Sequence, residues 1–168
     1  VIAMDKLIHP RVEAEIAFVL KDELKGKGLT IEQVLAATDY VIPALEVIDS
    51  RYEKFKFDLV SVIADNSSSA RYVTGGRPLD PRAIDLRTTG VVIEKNGEIQ
   101  ALAASAAVLN HPANAIIMLV EHLAARGRSL PTGSFVMTGG ITEAIPVTGG
   151  DNITARFQNM GSVSFRFK

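Results

Sequence analysis

The sequence contains no cysteine, which excludes disulfides and thiolate chemistry and fits a cytoplasmic protein. No apolar run approaches the roughly 20 residues that span a bilayer, and no signal-peptide pattern opens the chain, so no membrane partner is expected. An excess of one charge is missing too. Eighteen Lys and Arg stand against nineteen Asp and Glu, leaving no basic field for nucleic acid. There is no linker, internal repeat or low-complexity segment, and no dinucleotide or phosphate-binding fingerprint. What is present is an ordinary globular composition over 168 residues, 47% hydrophobic and 22% charged, enough for one domain with a real core. The chain begins at Val1 rather than at methionine, so a preceding N-terminal region is expected.

Local patterns give a β-rich α+β fold. Alternation from Val12 to Leu20 predicts a strand closed by the glycine-rich KDELKGKG at 21–28. Thr30 with Gln33 forms a capping box for a short helix through Ala37. Tyr40–Asp49 reads as extended, with Pro43 arguing for a bulge or an edge position. Residues 64–76, ADNSSSARYVTGG, read as a polar loop leading into a short strand. Asn96-Gly97 between GVVIEK and EIQALAAS is a type I′ hairpin signal. The helix signal at 112–126 combines Pro112 in the first turn, a stripe of Ile116, Leu119, Val120 and Leu123, and Gly127 as the stop. SFVMT at 134–138 and the pair GDNITARF and SVSFRFK, joined by a turn at Asn159–Gly161, complete a fold with two helices. Thr-Gly-Gly occurs at 74, 138 and 148, at spacings that are no repeat period.

The chemistry begins with HPRVEAEIAFVL at 9–20. On a strand, Glu13 and Glu15 share one face. Two carboxylates so placed repel and are costly to desolvate. A divalent cation such as Mg²⁺ or Mn²⁺ would turn that repulsion into a reason for both, and an octahedral site wants at least one more oxygen ligand. Glu46, a single acid in the apolar YVIPALEVID, is the candidate. The alternative is a solvated strand face, and spacing does not decide between them.

HPRVEAEIAFVL, PALEVIDSRY, VIADNSSSARYVTGG, GSFVMTGGI and GDNITARFQNMGSVSFRF together resemble the fumarylacetoacetate hydrolase superfamily. They resemble in particular the branch of the meta-cleavage pathway for aromatic compounds, with its 2-hydroxypentadienoate hydratases and 4-oxalocrotonate decarboxylases. SRYEKFKFD and ITEAIPVTGG favour the decarboxylase side. The resemblance implies a rolled mixed β-sheet with a few helices, forming a single catalytic domain over 1–168 without its N-terminal region. It implies Glu13, Glu15 and Glu46 as ligands for Mg²⁺ or Mn²⁺, and a lysine supplied from the region ahead of Val1. The reaction implied is decarboxylation of 4-oxalocrotonate to 2-hydroxypenta-2,4-dienoate and CO₂, with the cation as Lewis acid and no organic cofactor. The alternatives are the hydratase of the same pathway, or a mainly structural subunit of a decarboxylase–hydratase complex. Expected partners are the small 2-oxo dicarboxylate substrate, further copies of the chain in a homo-oligomer, and the pathway hydratase. Hydrolases of the superfamily carry a lysine downstream of the third acid. Asp65-Asn66-Ser67-Ser68 stands there instead, so hydrolytic cleavage is not expected.

Other residues carry two readings each. Thr138, Gly139 and Gly140 offer a hydroxyl and backbone N–H groups to a carboxylate, or form an ordinary turn. Asn66 and Ser68 are substrate contacts or Asx-turn caps. Asp65 is a catalytic base or a turn residue, and Arg71 pairs with the distal carboxylate or lies on the surface. His9 shares the parity of the glutamates, but Pro10 breaks regular pairing beside it. His111 fits a helix start and His122 the polar side of that helix. The stretch Arg51–Lys56 is a solvated segment or a subunit contact.

Overall fold

The computed structural model describes residues 1–168. In chain order the strands are β1 (Arg11–Leu20), β2 (Thr38–Ile48), β3 (Ser69–Thr74), β4 (Gly90–Lys95), β5 (Glu98–Ala104), β6 (Phe135–Met137), β7 (Ile145–Pro146), β8 (Asn152–Phe157) and β9 (Gly161–Arg166). The helices are α1 (Ile31–Ala37), α2 (Leu59–Ala64) and α3 (Ala113–Ala124). One sheet runs β3-β2-β1-β6, with β7 also on β1, and the other runs β5-β4-β8-β9.

The alternation in β1 decides which way the first sheet faces. Val12, Ala14, Ile16, Phe18 and Leu20 are all buried, and each side chain larger than alanine contributes about 1.5–3 kcal/mol when fully buried. They join Leu45 of β2, Ile93 and Ile153 of the second sheet, Val34 of α1, and Ile116 and Val120 of α3 in one core. The opposite face of β1 is therefore free to carry the acids. β2 pairs antiparallel along its whole length with β1, and only the register shift at Val19/Leu20 interrupts the ladder.

Pro43 sits inside β2 opposite Ile16 without a bulge. Its carbonyl accepts from Gly75 N–H at 3.2 Å, so its missing N–H also points toward β3, whose ladder starts only at Ala44. Pro43 thus occupies an edge position on that side alone, which is where a proline is tolerated.

The predicted capping box is present: Gln33 N–H donates to Thr30 Oγ1 and Gln33 Oε1 accepts from Thr30 N–H, a motif worth about 1 kcal/mol. Asn96 and Gly97 both have positive φ, 56° and 86°, as a type I′ turn requires. Gly127 (φ 65°) ends α3 in the left-handed region, and Arg128 N–H returns to Leu123 O.

Two expectations are corrected. The helices number three, because Asp58 caps Ser61 N–H at 2.7 Å and starts the short α2. Its β-branched Val60, Val62 and Ile63 gave no helical signal. Every ladder between strands is antiparallel, and the parallel element of the expected mixture is confined to the Ile2–Phe167 bridge.

The two sheets are joined where β3 ends. Gly76 N–H donates to Ser162 O and Arg77 N–H to Met160 O. A Cβ at Gly76 would stand 2.3 Å from Met160 O, at a φ of 63°, so only glycine allows this approach. No helix is long and apolar enough to cross a membrane.

Candidate metal centre

Glu13 lies directly opposite Glu46, and Glu15 opposite Ala44. Directly opposed residues of an antiparallel pair share a face, as do residues two apart on one strand. The β1–β2 register therefore puts all three acids on one face. Glu15 is buried, at 1% exposure, while Glu13 and Glu46 are half-buried. Glu15 Oε2 accepts the Gly139 N–H at 2.7 Å. Glu46 Oε1 accepts from Ser69 Oγ at 2.6 Å.

The electrostatics follow from that placement. Burial, and then the charge of Glu46, raises Glu13 from 4.5 to about 7. The same two causes raise Glu15 to about 8, against the lowering effect of the Gly139 N–H. Near neutral pH the cluster thus holds protons that ordinary carboxylates would have lost. The three carboxylates share a face, but no three acid or imidazole side chains stand close enough together to hold a metal ion without side-chain movement. Glu46 raises both Glu13 and Glu15 through its charge, and the charge of Glu13 adds a smaller raise to Glu15. The donors are hard oxygens without sulfur or imidazole, which suits Mg²⁺ or Mn²⁺. A doubly charged ion would remove the like-charge repulsion that raises both values.

The strand exit after β6 wraps over this face. Thr138 Oγ1 donates to Ile16 O at 2.9 Å, Ile141 N–H donates to Ala14 O at 2.8 Å, and Ala14 N–H donates to Thr142 Oγ1 at 3.3 Å. Between these anchors Gly139 adopts φ 101°, and a Cβ at Gly140 would stand 1.8 Å from Glu13 Oε2. Glycine at 140 is what lets the backbone lie against the carboxylate. Beside the acids a cavity of about 480 Å³ has a polar side of Glu15, Glu46, Ser67 and Thr138 and an apolar side that includes Met118, Leu119 and Met137. A separate hollow of about 270 Å³ between His9, Arg11 and Phe55 contains no carboxylate.

The remaining predicted residues are placed differently. The Asp65 carboxylate is buried and accepts from Ser50 Oγ, Ser68 Oγ, and the Arg51 backbone and guanidinium. Burial works to raise its pKa, but these hydrogen bonds and the Arg51 charge outweigh it and hold the group low, which is unfavourable for a base. Ser68 turns inward to Asp65, and Asn66 is exposed. Arg71 donates to the carbonyl of Ala70 on the surface. His9 packs against Phe55 with ring centroids 4.9 Å apart, and Arg11 lies over that same ring. His111 Nδ1 accepts from Ala113 N–H at the start of α3, and His122 is exposed. Ser67 on the cavity wall and Ser69 on Glu46 were not singled out by the sequence. In a run of three serines nothing in the residue types says which one faces the cavity.

No family model matches the chain. It is 62% identical over 99% of its length to 4-oxalocrotonate decarboxylase of Pseudomonas sp. (strain CF600), covering 63% of that protein. It is 40% identical over 99% of its length to 2-oxo-hept-4-ene-1,7-dioate hydratase of Escherichia coli, covering 64% of it. The solved structure of 4-oxalocrotonate decarboxylase from Pseudomonas putida G7, complexed with magnesium and adipate, matches with a TM-score of 0.96 and 58% identity, over 99% of this chain and 64% of that one. The chain thus spans a little under two thirds of the length of the curated relatives it matches.

Proposed function

We propose that the chain belongs to the fumarylacetoacetate hydrolase superfamily, in the branch of 4-oxalocrotonate decarboxylases and dienoate hydratases, and that it decarboxylates 4-oxalocrotonate. The products are 2-hydroxypenta-2,4-dienoate and CO₂, in the meta-cleavage degradation of aromatic compounds. Residues 1–168 are its single catalytic domain. The observation that carries this reading is the shared face of Glu13, Glu15 and Glu46, where mutual repulsion and burial hold protons that a cation would displace. The matched decarboxylase holds magnesium and adipate, a six-carbon dicarboxylate of the substrate's length.

Glu13, Glu15 and Glu46 hold Mg²⁺ or Mn²⁺. When bound, the ion supplies a Lewis acid for the charge that develops on the substrate's 2-oxo group as CO₂ departs. The Gly139 N–H fixes the Glu15 carboxylate, and the anchoring of Thr138 on Ile16 O fixes Gly139. Ser67 offers its hydroxyl to the substrate from the cavity wall. The apolar side formed by Met118, Leu119 and Met137 suits a leaving group that begins as a carboxylate and ends as uncharged CO₂. The protein acts as a homo-oligomer and associates with the pathway hydratase, which takes up the unstable dienol.

The test uses the full-length protein with 4-oxalocrotonate, in Mg²⁺ and after chelation, following CO₂ release and dienoate absorbance together. Metal-dependent release of both is expected. Water addition to 2-hydroxypentadienoate without CO₂ release would assign the hydratase activity instead. Failure to bind Mn²⁺ in calorimetry would leave a structural subunit.

A further inference from the structure

We infer that Asp65 is a positioning residue that aims Glu46 at the other two acids through the strained turn 66–68. The inference rests on the metal reading of the three glutamates.

Asn66, Ser67 and Ser68 have φ values of 54°, 52° and 60°. Three successive residues with side chains in the left-handed region are unfavourable, and no glycine relieves them. Such a run persists only where its surroundings over-determine it. Asp65 supplies that constraint. Its carboxylate, 6% exposed, gathers Ser50 Oγ at 3.2 Å, Ser68 Oγ at 3.0 Å and Arg51 N–H at 3.3 Å, together with the Arg51 guanidinium. Its backbone carbonyl accepts from Ser68 N–H at 3.0 Å and from Arg51 Nη2. The Ser68 carbonyl in turn accepts Asp49 N–H at 2.7 Å, tying the turn to the end of β2.

The turn delivers the chain into β3 one residue later, opposite Ile48 and across a register shift at Val47/Ile48. There Ser69 Oγ donates to Glu46 Oε1 at 2.6 Å. Inside the turn, Ser67 forms part of the cavity wall. Relaxation of the left-handed run would therefore move two groups at once, the donor that orients Glu46 and the hydroxyl on the wall. Glu46 is the one acid of the three carried by β2, directly opposite Glu13, so its aim decides whether its oxygen meets those of the two acids on β1. Partners behind metal ligands typically change affinity by about 10–100-fold when removed.

The experiment compares full-length wild type with Asp65→Asn and Ser69→Ala. Mn²⁺ affinity is measured by calorimetry, turnover is titrated against Mg²⁺, and circular dichroism with thermal melting reports folding. Both variants are expected to bind Mn²⁺ about tenfold or more weakly; at saturating Mg²⁺, Ser69→Ala should regain most of the wild-type turnover and Asp65→Asn a part of it with a raised KM, because its turn also carries Ser67. A base would behave otherwise, since Asp65→Asn would then abolish turnover at every metal concentration. That result, or unchanged affinity in a folded Asp65→Asn, overturns the inference, as does a full effect in Asp65→Asn with none in Ser69→Ala. Should Asp65→Asn fail to fold, Ser69→Ala decides alone, because it leaves the Asp65 hydrogen bonds intact. Absence of Mn²⁺ binding by the wild type would strike the metal reading itself and is distinguishable from all of these.

Discussion

Replacing Glu15 by Gln should stabilise the metal-free protein while disabling its metal site. Gln keeps the shape, its Oε1 can still accept the Gly139 N–H, and it carries no charge to be buried beside Glu46. The magnitude comes from linkage. The Glu15 pKa is raised from 4.5 to about 8 in the fold. An acid raised in this way is favourable to folding below its unfolded value, and the benefit disappears as pH climbs through the folded value. Integration between the two values makes ionisable Glu15 a burden of about 1 kcal/mol at pH 5, about 3 at pH 7 and about 5 at pH 9. Relaxation around the charge makes these upper figures, and half of each is a measurable difference. Urea unfolding of both full-length proteins in chelator, at the three pH values, measures it. The advantage of Glu15→Gln should widen with pH and reach several degrees in melting temperature at pH 7. Added Mg²⁺ should reverse the order, because a ligand stabilises only the fold that binds it. Coincident curves at pH 9 without metal would refute the reasoning.

Two further outcomes follow from the same cluster. With Glu13 at about 7 and Glu15 at about 8, Mg²⁺ binding at pH 7 should release about one to two protons and at pH 9 almost none; calorimetry in buffers of different ionisation enthalpy counts them, and no release at pH 7 would contradict the raised values. Gly140→Ala would place a methyl 1.8 Å from Glu13 Oε2, forcing that carboxylate away. Mn²⁺ affinity should then fall at least about tenfold with a melting shift equivalent to no more than about 1 kcal/mol, and unchanged affinity would remove Glu13 from the ligand set.

What the sequence disclosed depended on whether the determinant was local. β1, the capping box of α1, the Asn96-Gly97 hairpin and α3 are each specified by neighbours within a few residues, and each stands where it was read. The acids were visible because a charge in an apolar strand is conspicuous, yet their shared face needed the register that sets Glu13 against Glu46. The turn at 66–68 was hidden for the opposite reason. Left-handed backbone is usually announced by glycine, and here ordinary residues are held there by Ser50, Arg51 and Asp65 from both sides of α2. From the sequence Asp65 reads equally as a base or a turn residue, and only its buried set of donors shows what occupies its carboxylate. The role of Gly140 was equally illegible, because it exists only where the chain after β6 crosses β1.

The junction at Gly76 and Arg77 ties the two halves of the molecule's β architecture together. β3 is fastened to the second sheet at one end and supplies Ser69 to Glu46 at the other. A disturbance at this junction is therefore expected to travel along β3 to Ser69 and Glu46. Exchange of the Gly76 and Arg77 amides with deuterated solvent would track loss of competence more closely than global unfolding does, making this pair a natural sentinel for early inactivation.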